Sequence, residues 1–405
     1  MTQFTDAPIF DADQHMYETP DALTRHLPER YRQAVQFVQV GKRTRIAILN
    51  RITEYIPNPT FERVAAPGAY ETFFSGRNVE GKSLRELGGR GIDALPAFRE
   101  PGPRITVLDE QGVDEALVYP TLANLVEHSA AEDPELVVAM IHALNQWMLE
   151  TWDYTSGGRL YMTPVISCAL VDDARRELEF VLNNGARAVL IKPAPVKGFR
   201  GWRSPALPEF DPFWADVQTA GIPVVLHASQ PPLDDYINRW EPPTTNNFTE
   251  MSAFRWVALG HREIADMLTS LICHGTLTRF PALRIASVEN GSAWIKPLFD
   301  EFEAAHAKMP QAFAEHPVEV FRRNIWVSPF WEGSVADVVA TVGWDRVLFG
   351  SDYPHPEGLP EPRGYYAYAE GMDEQRTRDF MGDNARRLLG LPVRGPAAAS
   401  AGQPA

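Results

Sequence analysis

Residues 347–355 read Val-Leu-Phe-Gly-Ser-Asp-Tyr-Pro-His. Three apolar residues suit a strand buried on both faces; Ser351 and Asp352 close the run, and Pro354 cannot extend it. The same pattern, a short apolar run stopped by ionisable or turn residues, recurs along the chain. It is found at Ile9–Asp13, Ala116–Tyr119, Leu160–Val165, Ala188–Lys192, Pro223–His227, Leu283–Glu289, Ile325–Ser328 and Val347–Ser351. Many of the 34 prolines stand beside these runs, as at Pro120, Pro164, Pro223 and Pro354, so the strands are expected to end in rigid turns.

Helical patterns lie between most of the runs. Asp133-Pro134 opens one as an N-cap followed by proline, and Leu136, Val137, Met140, Ile141, Leu144 and Met148 repeat at helical spacing up to Trp152. Asp172–Asn183 and Phe210–Ala220 end at Asn184-Gly185 and Gly221, which are C-cap signals. Glu263–Phe280 reads as one helix stopping before Pro281, and Asp373–Leu389 as another ending at Gly390. Eight strands alternating with helices predict a parallel α/β fold, and eight is the number that closes a (β/α)8 barrel. A doubly wound open sheet is the rival, but no Gly-rich nucleotide turn follows Asp13. We therefore expect one distorted TIM barrel over residues 1–391. Roughly residues 38–105, with the alternating stretch Arg43–Arg51, are expected as an inserted hairpin and long loop after the first strand, covering the barrel mouth. Residues 392–405, mostly Ala, Gly, Ser and Pro, are expected as a disordered tail.

The 405 residues are 44% hydrophobic and 22% charged, which excludes a disordered chain. The net charge of −15 argues against general binding to nucleic acid or anionic membranes, which needs clustered Lys and Arg. No signal-peptide pattern and no membrane-length apolar run is visible, so a soluble, cytoplasmic protein is expected. The two cysteines, Cys168 and Cys273, lie in apolar surroundings and read as buried thiols.

In a parallel barrel, function collects at the carboxyl ends of the strands. There the sequence places Asp13 and His15, Lys192, His227, Glu289, and Asp352 with His355. Asp13 and His15 are two apart on an extended chain and point to one face, where both could reach one cation. His227 follows Pro-Val-Val-Leu, and a buried Asp352 needs a partner or a metal. Two imidazoles with one or two carboxylates suit one divalent transition metal, zinc first, then manganese, iron or cobalt, with a position left open for water or substrate. Tyr119, Trp294, Trp326, Phe330, Trp331 and Tyr353 stand near the same ends. As pocket walls they would suit a planar or cyclic substrate, although ordinary packing accounts for at least half of them.

Asp11-Ala-Asp-Gln-His15, Val-Val-Leu-His227, the stretch Leu277–Ile295, Leu-Phe-Gly-Ser-Asp-Tyr-Pro-His355 and Asn384–Leu389 together resemble the amidohydrolase-related family, which includes enzymes of the aminocarboxymuconate-semialdehyde decarboxylase type. The resemblance implies a distorted barrel holding one divalent metal, and barrels that are often homodimers. It implies Asp13, His15, His227 and Asp352 as metal ligands, with Asp352 also able to take a proton. The family's usual first motif is His-x-His, here Asp13-Gln14-His15. Family decarboxylases carry a histidine at the end of strand six, where this chain has Glu289. His274 lies in the preceding helical stretch and is expected to face the helical layer. Lys192 is expected as a pocket cation for a substrate carboxylate or for Glu289; a lysine at the barrel rim is the plainer reading. His355 could bind substrate or hold Asp352 in place, and Glu18 could support strand one in the same way.

These readings favour metal-assisted hydrolysis of a small amide, lactone or related carbonyl compound. Asp352 and Glu289 would act as acid–base groups, His355 or Lys192 would polarise the carbonyl, and Tyr119 and Trp331 would contact substrate. The alternative is non-oxidative decarboxylation of a small cyclic or aromatic carboxylic acid. A third reading is an inactive barrel that only binds.

Overall fold

The computed structural model describes residues 7–230, 232–243, 247–331, 334–369 and 372–394. Its central strands are β1 (Phe10–Met16), β2 (Glu115–Pro120), β3 (Leu160–Met162), β4 (Val189–Ile191), β5 (Val224–His227), β6 (Ile285–Val288) and β7 (Ile325–Val327). They form two parallel arrays, β1-β2-β3 and β4-β5-β6-β7. Single parallel bridges join the arrays: Val165 to Leu190, Val327 to Val347, and Tyr353 back to Gln14. The ring is thereby closed, and the fold is a distorted TIM barrel.

The distortion has local causes. Pro164 has no N–H to give to a ladder, and its carbonyl instead accepts from Leu190 at 2.9 Å. The expected eighth strand, Val347–Ser351, is an extended segment with one bridge rather than a ladder. Its donors go elsewhere: Phe349 N–H to the Phe380 carbonyl, and Ser351 N–H to the Asp11 carboxylate. Gly350 lets it lie this close to β1, since a Cβ there would stand 2.6 Å from Asp13 Cβ.

The helix from Pro134 to Trp152 starts as its sequence predicts, with Asp133 accepting from Leu136 N–H at 3.0 Å. The stretch expected as one helix from 263 to 280 is broken. Arg262–Cys273 ends at His274, and Gly275, at φ 75°, starts a separate turn, Thr276–Arg279. Likewise 373–389 divides into Glu374–Arg378, a π-helical turn at Asp379–Asp383, and Asn384–Leu389. Cys168 is buried, but Cys273 is exposed, contrary to expectation: it follows the buried pair Leu271 and Ile272 and falls on the solvent side of its helix.

Between β1 and β2 the chain builds a three-stranded antiparallel sheet from Val35–Val40, Arg43–Ile48 and Arg51–Thr53, then a short pair, Arg63–Val64 with Ile92–Asp93. This segment reaches the loop after Asp352 through Tyr70 N–H on the Pro356 carbonyl at 2.7 Å. Phe74 meets Trp256 and Phe330, each with ring centres 5.8 Å apart. At the other end of the chain, Arg394 binds Asp114 at 2.7 Å. The remainder of the expected tail, 395–405, lies outside the described residues. Among the described residues no helix is long and apolar enough to cross a membrane.

Candidate metal centre

β1 carries the first two candidate ligands. Its register against β2 shifts between Asp11 and Gln14, a β-bulge that places three steps of β1 against two of β2. Three groups hold the strand. Arg104, fully buried, donates to the Ala97 and His15 carbonyls at 2.7 Å and to Gln14 Oε1 at 3.1 Å. Tyr119 donates its hydroxyl to the Ala12 carbonyl at 2.9 Å. Asp352 N–H donates to the Asp13 carbonyl at 2.7 Å.

Asp13, His15, His227 and Asp352 converge, each at most 2% exposed. The two Nε2 atoms of His15 and His227 stand 3.1 Å apart, and Asp13 Oδ1 lies 3.5 and 3.4 Å from them. Asp352 Oδ1 is 3.3 Å from His15 Nε2. The His355 ring stacks on His15 with centres 3.8 Å apart, and its Nδ1 lies 2.8 Å from Asp352 Oδ1. Glu289 Oε2 is 3.2 Å from His227 Nε2. Glu289, Trp331 and Asp352 hold φ near 58, 55 and 58°, in the left-handed region. Non-glycine residues there cost about 1 kcal/mol or more each, which is typical of functional sites.

These atoms fit a divalent cation. His227 Nδ1 lies 2.9 Å from the Ala228 carbonyl, which keeps a proton on Nδ1 and leaves Nε2 as the atom facing the centre. Two imidazole Nε2 atoms 3.1 Å apart need either a proton or a metal cation between them. Neither oxygen of the buried Asp352 receives a hydrogen bond among the described residues. The charges agree. Burial, then Glu289 and Asp13, push the Asp352 carboxyl well above the usual range. Burial also works against ionised Asp13, but His15 and His227 bring its carboxyl below the usual range. Burial lowers His15 to about 4, whereas in His227 the Glu289 and Asp13 charges overcome burial and lift the ring to about 9.

The other candidates fall as follows. Tyr119, expected on substrate, is fully buried and packs beside the candidate ligands His15 and His227, with ring centres 5.7 and 4.7 Å away. Trp331 is half-buried, with its ring N–H on the Glu357 carbonyl at 2.7 Å. Lys192 is buried at the end of β4, but the charges that act on it are Glu263, Glu127 and Asp234, not the expected Glu289. Helices bring those acids to the rim, which sequence spacing does not reveal. Glu18 is fully buried and accepts from Leu122 N–H at 2.7 Å, tying the end of β1 to the loop after β2. His274 is exposed and its Nδ1 meets Ser270, away from the centre. Trp326 lies under Arg346, 4.4 Å from its ring centre, and Trp294 donates to the Gly291 carbonyl. Sequence reading missed Glu357, which joins Glu289, Asp352 and His355 in one cluster.

The family profile described as Amidohydrolase matches residues 11–391. The chain belongs to this family. An amidohydrolase from Mycobacterium avium subsp. paratuberculosis K-10, known from a crystal structure, is 36% identical, with a TM-score of 0.90 over 95% of this chain and 100% of that one. A gamma-resorcylate decarboxylase of Rhizobium radiobacter is 25% identical over 201 residues, 46% of this chain and 56% of that enzyme. The amidohydrolase chain thus spans about half the length of this curated relative. A dihydroxybenzoic acid decarboxylase from Polaromonas sp. JS666, solved with manganese and 2-nitroresorcinol, shares the fold: TM-score 0.57 at 20% identity, over 80% of this chain and 93% of that one.

Proposed function

We propose that this amidohydrolase is a metal-dependent, non-oxidative decarboxylase of a small hydroxylated aromatic acid. The reading reverses the preference for hydrolysis drawn from the sequence. It is carried by one conjunction: a buried cluster of Asp13, His15, His227 and Asp352 in a chain related in sequence to gamma-resorcylate decarboxylase. Those four side chains would hold the cation. When bound, it would supply Lewis-acid chemistry at the oxygens of an acidic substrate.

The chain's own groups do the rest. Glu289, with a side chain 15% exposed beside wholly buried ligands, faces the open side. As a carboxylic acid it gives its proton to the ring carbon that bears the carboxylate. A C–H bond forms, the C–C bond then breaks, its electrons return to the ring and CO2 leaves. Glu289 regains a proton from water. Trp331 supplies a flat wall at the same rim, and Thr121 Oγ1, 3.1 Å from His355 Nε2, keeps His355 oriented on Asp352.

Hydrolysis stays as a second reading on one observation: Glu289 stands where family decarboxylases carry histidine. The test is to incubate the enzyme, loaded with one manganese ion per chain, with 2,6-dihydroxybenzoate and related hydroxylated acids in D2O. Release of CO2 with one deuterium fixed on the product ring supports decarboxylation. No CO2 from any acid, with turnover of lactones or amides, overturns it in favour of hydrolysis.

A further inference from the structure

Glu289, Asp352, His355 and Glu357 each offer one ligand atom, and all four atoms lie within 4.8 Å of one another. Donors on opposite sides of a small divalent cation are about 4.2 Å apart, so the cluster is already near ligating size. It is more than a group of acids. Thr121 occupies His355 Nε2, which leaves Nδ1 facing the cluster 2.8 Å from Asp352 Oδ1. Asp352 is fully buried, and neither of its oxygens receives a hydrogen bond among the described residues. The same holds for the buried Oε2 of Glu357. The backbone of Glu357 is fixed here by Trp331, whose ring N–H donates to its carbonyl at 2.7 Å.

Charge balance points the same way. One dication at the first centre offsets Asp13 and Asp352. Glu289 and Glu357, each partly buried, add two further carboxyls beside it, and among the described residues neither pairs with a lysine or arginine. Carboxylates crowded together this closely repel one another, and a cation between them relieves that repulsion.

We propose that Glu289, Asp352, His355 and Glu357 form a second divalent-cation site, adjoining the first and sharing Asp352 with it. One imidazole and three carboxylates make a harder donor set than the first site, and suit manganese better than zinc. The proposal rests on the reading that Asp13, His15, His227 and Asp352 hold the first ion. It has a consequence for the reaction: an ion on Glu289 takes the place of the proton that the ring carbon receives, so filling the second site inhibits turnover.

The test is equilibrium dialysis of the metal-free full chain against Mn2+ alone, with bound metal measured and the paramagnetic resonance spectrum recorded. The wild type is expected to saturate at two ions per chain, with spin coupling between them. Glu357→Gln and Glu289→Gln, checked for folding by circular dichroism, are expected to saturate at one and to lose the coupling. Wild type saturating at one overturns the second site and leaves the first intact. Saturation at zero overturns both. Two ions retained in both folded variants overturn the assignment to these residues.

Discussion

Asp11 accepts two hydrogen bonds from Ser351, from its N–H at 2.9 Å and from its hydroxyl at 2.5 Å. The pair replaces a strand ladder where the last segment of the barrel meets β1. It fixes Asp352 beside Asp13, because the next N–H in the chain donates to the Asp13 carbonyl. Gln14 adds a third bond to Asp11 at 2.9 Å. Burial outweighs these bonds and holds the Asp11 carboxyl up at about 7.

Asp11→Ala is therefore expected to lower stability by about 2–4 kcal/mol, since it leaves the Ser351 and Gln14 donors buried and unpaired. Urea unfolding of the metal-free chain measures this. A change below about 0.5 kcal/mol, the range of an ordinary surface substitution, would remove Asp11 as the clasp of the barrel.

Arg104→Met strips donors from the Ala97 and His15 carbonyls and from Gln14 Oε1. His15 then loses the backbone anchor next to its own side chain. Metal affinity is expected to fall about 10–100-fold, as for other groups that hold a ligand in place. Competition with a chelator of known affinity reads this directly; unchanged affinity would assign Arg104 to folding alone.

How much of this was legible in the sequence follows from which residues act locally. Asp13, His15, His227 and Asp352 each end an apolar run, and barrel topology brings run ends together, so they could be listed without coordinates. Glu357 could not. It lies in a Pro-flanked turn with no periodicity, and it reaches the cluster through Trp331, 26 residues earlier in the chain. Lys192 was legible as a strand end, but its acidic partners come from helices distant in sequence. The helix break at His274-Gly275 turns on a single positive φ that helical spacing on either side conceals.

Stability should carry a pH signature outside the centre. His142 Nδ1 meets Glu177 Oε2 at 2.7 Å between two helices of the outer layer. That hydrogen bond raises the imidazole above its ordinary 6.5. The protonated ring therefore favours the folded state. Its contribution is fully present below the ordinary value and is lost as pH rises through the raised one. His142→Gln is expected to lower Tm relative to wild type at pH about 5.5, with the gap closing by pH about 8.5. A gap that widens with pH would contradict the assignment.

Glu289→Gln keeps the size of the side chain but removes the transferable proton. Decarboxylation is expected to slow by about 10²–10⁴-fold with the first metal retained. Single-turnover CO2 release beside metal analysis separates the two effects. Full rate in this variant would assign the proton to another group.

The most direct test of the account is anomalous diffraction from crystals grown with manganese. It predicts a peak about 2.0–2.2 Å from His15 Nε2, His227 Nε2 and carboxylate oxygens of Asp13 and Asp352. Crystals soaked in manganese that show no peak there, or a peak bound elsewhere while these four side chains contact only one another, would contradict it.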